Sequence, residues 1–169
     1  LELTSKAVTH VIDEVLRRPA DLAALRQAAL SGDLDTVRHS AWEMLRFRPH
    51  GPILKRACPA DVTLGSKQRR IRGGSMVLVS TLSAMFDPAW FPRPRRVALD
   101  RPVERYLHFG AGLHACFGRH INAVTVPETV AALVRLPELR RTPGAAGRLV
   151  YDGPFPDRLI VEFDPKGER

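Results

Sequence analysis

Cys116 is the residue best placed to do chemistry. It stands in Phe109-Gly110-Ala111-Gly112-Leu113-His114-Ala115-Cys116-Phe117-Gly118, with glycines four residues before it and two after it. The segment that follows reads as a helix. A thiolate at a helix N-terminus is stabilised by the helix dipole and by amides that lack an intrahelical partner. Glycines at 112 and 118 let the backbone come close to the sulfur or to a bound group. Such a loop can present a thiolate to a metal. Two other readings stand beside this one. Cys116 could be a buried structural thiol, as Cys58 reads, or a zinc ligand with His108, His114 and His120. The zinc spacing fits no known ligand pattern and lacks a second thiolate. Glu43 and Arg46, three residues apart, share a face if their segment is helical. On spacing alone they describe a surface ion pair.

These groups need elements to carry them. From Thr4 to Arg18, the apolar residues Val8, Val11, Ile12, Val15 and Leu16 recur at helical spacing, and Pro19 marks a break. A second helix is expected from Asp21 to Leu30, ended by Ser31-Gly32-Asp33. A third is expected from Leu34 to Phe47, stopping ahead of Pro49 and carrying Glu43 and Arg46. Residues 50–106 are rich in Pro and Gly and hold short apolar runs such as Val77-Leu78-Val79, which suits small strands and irregular loops. After Cys116 a helix is expected to about Leu136, bent or started late because of Pro127. The tail offers two strands, Arg148 to Tyr151 and Leu159 to Phe163, around a turn from Asp152 to Asp157. The order of elements gives an α+β, mostly helical fold without internal repeats.

Composition narrows the setting. The chain has 169 residues, enough for one core, and no apolar run of about 18 residues that could cross a membrane. It opens without an initiating Met or a basic leader, so it is expected to be a piece of a larger protein. Two cysteines make no disulfide framework, which points to a reducing, cytoplasmic compartment. The net charge is +8, which raises the question of nucleic acid. The dense basic stretches, Lys67 to Arg72 and Arg93 to Arg96, lie in Gly/Pro-rich loops without interleaved aromatics. No nucleic-acid partner is expected.

The pattern Phe-x-x-Gly-x-x-x-Cys-x-Gly at 109–118 resembles the heme-thiolate loop of the cytochrome P450 family. Trp42-Glu43-Met44-Leu45-Arg46-Phe47-Arg48-Pro49 is similar to that family's K-helix motif, and Phe91 to Pro102 resembles its meander segment. The resemblance covers nearly the whole chain, but it matches only the C-terminal portion of a complete family member. It implies a partial P450 domain over residues 1–169: the end of the distal helix, the J and K helices, a small sheet, the meander, the Cys loop, the L helix and a C-terminal hairpin.

By that resemblance Cys116 is the axial ligand of a heme b iron. Phe109, Gly112 and Gly118 shape its loop, and Arg56 and His114 meet the heme propionates. Arg101 completes a structural triad with Glu43 and Arg46. The family's distal helix carries an acid–alcohol pair that delivers protons to iron-bound oxygen. Spacing back from Pro19 puts Glu2 at the acid position and Leu3 at the alcohol position; a shift of one residue makes Thr4 the alcohol and loses the acid. The implied activity is monooxygenation of a small organic or lipid substrate, with electrons from a separate ferredoxin-like or flavoprotein partner. One alternative is a domain that uses peroxide or a lipid hydroperoxide, as in fatty-acid oxygenase fusions, which the Leu3 register favours. Others are a non-catalytic fragment and a basic nucleic-acid-binding module. Substrate contacts are expected near Pro154 and Phe155. Because most of the distal half is missing, the chain alone is expected to bind heme weakly or not at all.

Overall fold

The computed structural model describes residues 2–153 and 155–165. Four helices build the core: α1 (Glu2–Val15), α2 (Pro19–Ser31), α3 (Leu34–Phe47) and α5 (Arg119–Val134). A short α4 (Thr81–Ala84) lies between α3 and α5. Each long helix offers an apolar face at helical spacing: Val8, Val11, Ile12 and Val15 on α1, Val37, Ala41, Met44 and Leu45 on α3, Val126, Val130, Ala131 and Val134 on α5. These side chains are buried together with Leu25, Ala28 and Ala29 of α2.

Local signals set the helix ends. Pro19 opens α2 rather than merely breaking the chain, since the first helical turn needs no amide from it. Gly32 closes α2 in the left-handed conformation (φ 78°), and its amide reaches the carbonyls of Ala28 and Ala29. Asp33 then caps α3, its carboxylate accepting from the amide of Thr36 at 3.0 Å. α5 starts at Arg119 and runs through Pro127, which is buried inside it.

Between α3 and α5 the chain forms two antiparallel strand pairs. β1 (Ile53–Ala57) pairs with β4 (Met76–Ser80), Ile53 opposite Ser80 and Ala57 opposite Met76. β2 (Val62–Leu64) pairs with β3 (Arg69–Ile71). The tail differs from the sequence expectation. β6 (Val150–Asp152) pairs with β7 (Phe155–Arg158), so the hairpin closes within the stretch read as one long turn. Pro156 sits opposite Tyr151 in this two-stranded ribbon, where a proline costs little because an edge residue need not donate. The segment expected to return as its partner instead supplies β8 (Val161–Glu162), paired with β5 (Arg140–Arg141).

Asp13 ties the tail to α1. Its carboxylate is fully buried and accepts from Arg141 Nη2 at 2.5 Å and from Arg17 at 3.2 Å. Glu14, beside it, accepts from Arg18 at 2.9 Å and from Arg48, just past α3, at 3.3 Å. Among the described residues no helix is long and apolar enough to cross a membrane.

Candidate functional site

The pair at Glu43 and Arg46 is not on the surface. Both side chains are fully buried, and Arg46 grips the carboxylate with two bonds, Nε to Oε1 and Nη2 to Oε2, each 2.9 Å. Arg101 Nε approaches Oε1 at 3.2 Å as an ion pair without hydrogen-bond alignment. The phenol of Tyr106 donates to Oε1 at 2.7 Å, and the amide of Ala98 to Oε2 at 3.1 Å. Burial, together with the carboxylate beside the phenol, pushes the Tyr106 pKa up.

Two buried guanidinium groups against one carboxylate leave a positive excess. Backbone carbonyls and aromatic faces take it up. Arg46 donates to the carbonyls of Met85 at 3.2 Å, Pro94 at 2.6 Å and Arg96 at 3.1 Å, and Arg101 to those of Pro92 at 2.9 Å and Arg93 at 3.3 Å. Arg46 also lies over Phe47, Phe86 and Phe91, its guanidinium carbon 4.5–5.5 Å from the ring centroids. The basic stretch from Arg93 to Arg96 thus contributes carbonyl oxygens to the cluster.

From Tyr106 the contacts run to the cysteine. Tyr106 stacks on His108 (5.2 Å, 16°), whose Nε2 meets the Trp42 carbonyl at 2.9 Å. A carbonyl only accepts, so that nitrogen carries the hydrogen. Trp42 meets Phe109 edge-on at 5.4 Å, and the Phe109 carbonyl accepts from the amide of Cys116 at 2.7 Å. Gly110 makes the loop possible. It has φ 66°, and an added Cβ would lie 2.8 Å from the His114 carbonyl oxygen. At Gly118 an added Cβ would meet Asn122 Nδ2 at 3.2 Å and Cys116 Sγ at 3.9 Å. α5 begins two residues past Phe117, and among the described residues no amide donates to Sγ.

A cavity of about 300 Å³ opens beside this loop. Cys116, Phe109, His114 and Arg56, four residues singled out by sequence, all line it. Trp42, Leu45, Leu107 and Val126 give it an apolar wall. Arg56 and His114 are exposed at its edge, and Arg56 donates to the Lys55 carbonyl at 2.8 Å. Gly112 and Gly118 shape the loop without lining the cavity. Pro154 lies outside the described residues, and Phe155 stands off the cavity wall, stacked on His50.

At the start of α1 Leu3 lines the cavity. Glu2 is exposed and bonds to Lys6, which lowers its pKa. Thr4 donates to Asn122 Oδ1 on α5 at 2.6 Å. Neither Glu2 nor Thr4 is on the cavity wall. The zinc alternative is overturned: among the described residues no three His, Cys, Asp or Glu side chains converge on a metal position. His120 is exposed and accepts from Arg119.

Sequence reasoning missed Tyr106, Asn122 and His50, read His108 only as a possible zinc ligand, and gave Trp42 no role beyond its motif. Tyr106 and His108 lie only three and one residues ahead of Phe109, but no spacing rule marks their partners 63 and 66 residues away.

The family model described as Cytochrome P450 matches residues 5–144. A bifunctional dioxygenase–epoxy alcohol synthase of Fusarium oxysporum is 43% identical over 79 residues, 47% of this chain and 6% of that protein. A linoleate diol synthase of Gaeumannomyces graminis is 38% identical over 89 residues, 53% of this chain and 8% of that protein. The matched stretches are thus a small part of those relatives' length. The crystal structure of CalO2 superposes with a TM-score of 0.83 at 29% identity, covering 98% of this chain and 41% of that one.

Replacing Arg46 with Ala leaves a buried carboxylate without its bidentate partner and is expected to cost about 3–5 kcal/mol. Replacing Arg70, whose partner Asp61 is at the surface, should leave the urea midpoint nearly unchanged. Equal midpoint shifts would contradict the assignment of stability to the buried cluster.

Burial holds His10 and His108 neutral, each with its pKa lowered to about 4 from 6.5. The unfolded chain therefore takes up protons before the folded one does. Stability should be full above pH 6.5 and fall steadily as the pH drops toward about 4. Urea midpoints across that range check this, and His10→Asn should flatten the slope.

Proposed function

The chain belongs to the cytochrome P450 family, and on that premise we propose that it forms the cysteine-bearing half of a heme-thiolate oxidoreductase acting on apolar, lipid-like substrates. The observation that carries this reading is the single cavity shared by Cys116, Phe109, His114 and Arg56. The donor set fits a heme. One sulfur stands beside a largely apolar wall suited to a macrocycle, and a guanidinium and an imidazole at the rim suit its propionates. The convergence of several ligands that a bare metal ion needs is missing among the described residues. Cys116 would hold the iron of heme b, Arg56 and His114 the propionates, and Glu43, Arg46 and Arg101 the loop behind. A heme on a cysteine thiolate supplies an electron-rich iron that favours O–O cleavage.

The oxidant is read from the other wall. From α1, moving a proton at the cavity would require a titratable or hydroxyl side chain facing it. Here α1 turns Leu3 to the cavity, while Thr4 is engaged with Asn122 and Glu2 with Lys6. Leu3 can neither donate a proton nor hold a water. This favours an organic hydroperoxide, which brings its O–O bond ready-made, over O2 with an external electron donor. Two relatives named as a dioxygenase–epoxy alcohol synthase and a linoleate diol synthase support the same reading. With O2 as oxidant, the domain would be a monooxygenase served by a ferredoxin-like or flavoprotein partner.

In the full-length protein Cys116→Ser should abolish the long-wavelength Soret band that thiolate ligation gives the reduced carbonyl complex. Retention of that band would exclude Cys116 as the ligand. The heme-loaded parent should convert a fatty-acid hydroperoxide without any reductant. Turnover only with a reductant and O2 would favour the monooxygenase.

A further inference from the structure

Asn122 lines the cavity from the first turn of α5, where its backbone amide bonds to the Gly118 carbonyl at 2.9 Å. Its carboxamide is held by one end. Oδ1 accepts from Thr4 Oγ1 at 2.6 Å. That separation suits an O–H···O bond and is shorter than the usual N–H···O range, so the oxygen is the end that faces Thr4. Nδ2 is left with two donor hydrogens. Among the described residues no group accepts either of them.

Gly118 shows where that nitrogen lies. A Cβ placed on the glycine would come 3.2 Å from Asn122 Nδ2 and 3.9 Å from Cys116 Sγ. The two atoms thus border the same small gap, which stays open because residue 118 has no side chain. No hydrogen bond crosses the gap in this structure. A thiol sulfur is a weak acceptor, whereas a thiolate that holds a metal carries negative charge and accepts strongly. The Thr4 bond improves the donor. Hydrogen bonds in a chain polarise one another, so a carboxamide whose oxygen is engaged has a stronger N–H.

We propose that Asn122 Nδ2–H donates to the Cys116 sulfur when the thiolate holds its iron, and that Thr4 and Asn122 together temper the electron density the sulfur passes to the metal. Asn122 is a positioning residue that acts through Cys116. The Thr4 hydroxyl, expected from sequence at the oxygen site, serves the sulfur instead. The inference rests on the heme-thiolate reading of the cavity and adds to it the side chains that set the donor strength of the thiolate.

The test uses the full-length, heme-loaded protein and follows the iron rather than turnover. The reduction potential and the Soret band of the reduced carbonyl complex are measured for the parent, Asn122→Leu, Asn122→Gln and Thr4→Val. Leucine keeps the volume and removes the donor, whereas glutamine keeps a carboxamide. Losing a donor leaves the sulfur richer in electrons, which favours the oxidised iron. Asn122→Leu should make reduction about tenfold less favourable, about 59 mV for one electron, and move the band to longer wavelength. Asn122→Gln should recover part of both shifts, and Thr4→Val should shift both in the same direction by less. Unchanged potential and band in Asn122→Leu would overturn the proposal and leave the heme reading standing. Loss of the thiolate band in that variant, or equal shifts in the leucine and glutamine variants, would overturn it too, since either would mark packing rather than hydrogen bonding. A parent without the thiolate band would overturn the heme reading, and this inference with it.

Discussion

The structure depends on surrounding one carboxylate with donors where water cannot reach it. Glu43 is fully buried, and so is Arg46, one of its two guanidinium partners; the other, Arg101, is nearly so. Removing charges from water is costly, and an ion pair offsets that cost only when the remaining donors and acceptors are satisfied. Here they are satisfied by chain distant in sequence. The carbonyls that take up the excess positive charge belong to residues 85–96, a stretch with almost no regular structure of its own. The cluster therefore does for this stretch what a sheet or helix would otherwise do. It gives the backbone fixed hydrogen-bond partners and so a fixed course across the back of the helices.

That course sets the position of the cysteine. Tyr106 bonds to Glu43 and stacks on His108, His108 bonds to the backbone at Trp42, Trp42 packs on Phe109, and Phe109 holds the Cys116 amide. Each link is a contact between packed or hydrogen-bonded groups, so displacement at Glu43 has a physical route to the sulfur. A second tether comes from the other side. Asn122 on α5 accepts from Thr4 on α1 and lies against Gly118, where a larger residue would crowd it. The loop is thus held between the buried charge cluster and the α1–α5 contact, and the cavity forms beside it.

The parts legible in the sequence are those encoded locally. The Glu43–Arg46 spacing, the glycine-bracketed cysteine and the helical repeats of Val and Leu can be read within a turn or two of chain. The cytochrome P450 resemblance joins them in the right order. Tyr106, Asn122 and His50 were not legible, because each acquires its role from a partner that only the fold brings near. Prolines misled in the tail. Pro154 and Pro156 made the segment look like one turn, yet Pro156 occupies a position in a two-stranded ribbon where its missing amide does no harm. Thr4 shows the same limit. Its type fitted an alcohol at the oxygen site, but its hydroxyl is engaged with Asn122, and Leu3 takes the cavity face.

The claim that the Glu43 cluster positions the Cys loop is tested most directly by hydrogen–deuterium exchange on the heme-loaded, full-length protein carrying Glu43→Gln. Local opening is read amide by amide in this way. The account predicts faster exchange along residues 92–118, where the cluster and its contacts hold the chain, with α1 and α2 keeping the protection they have in the parent. Unchanged protection at the Cys loop, or a uniform loss across all helices, would contradict it.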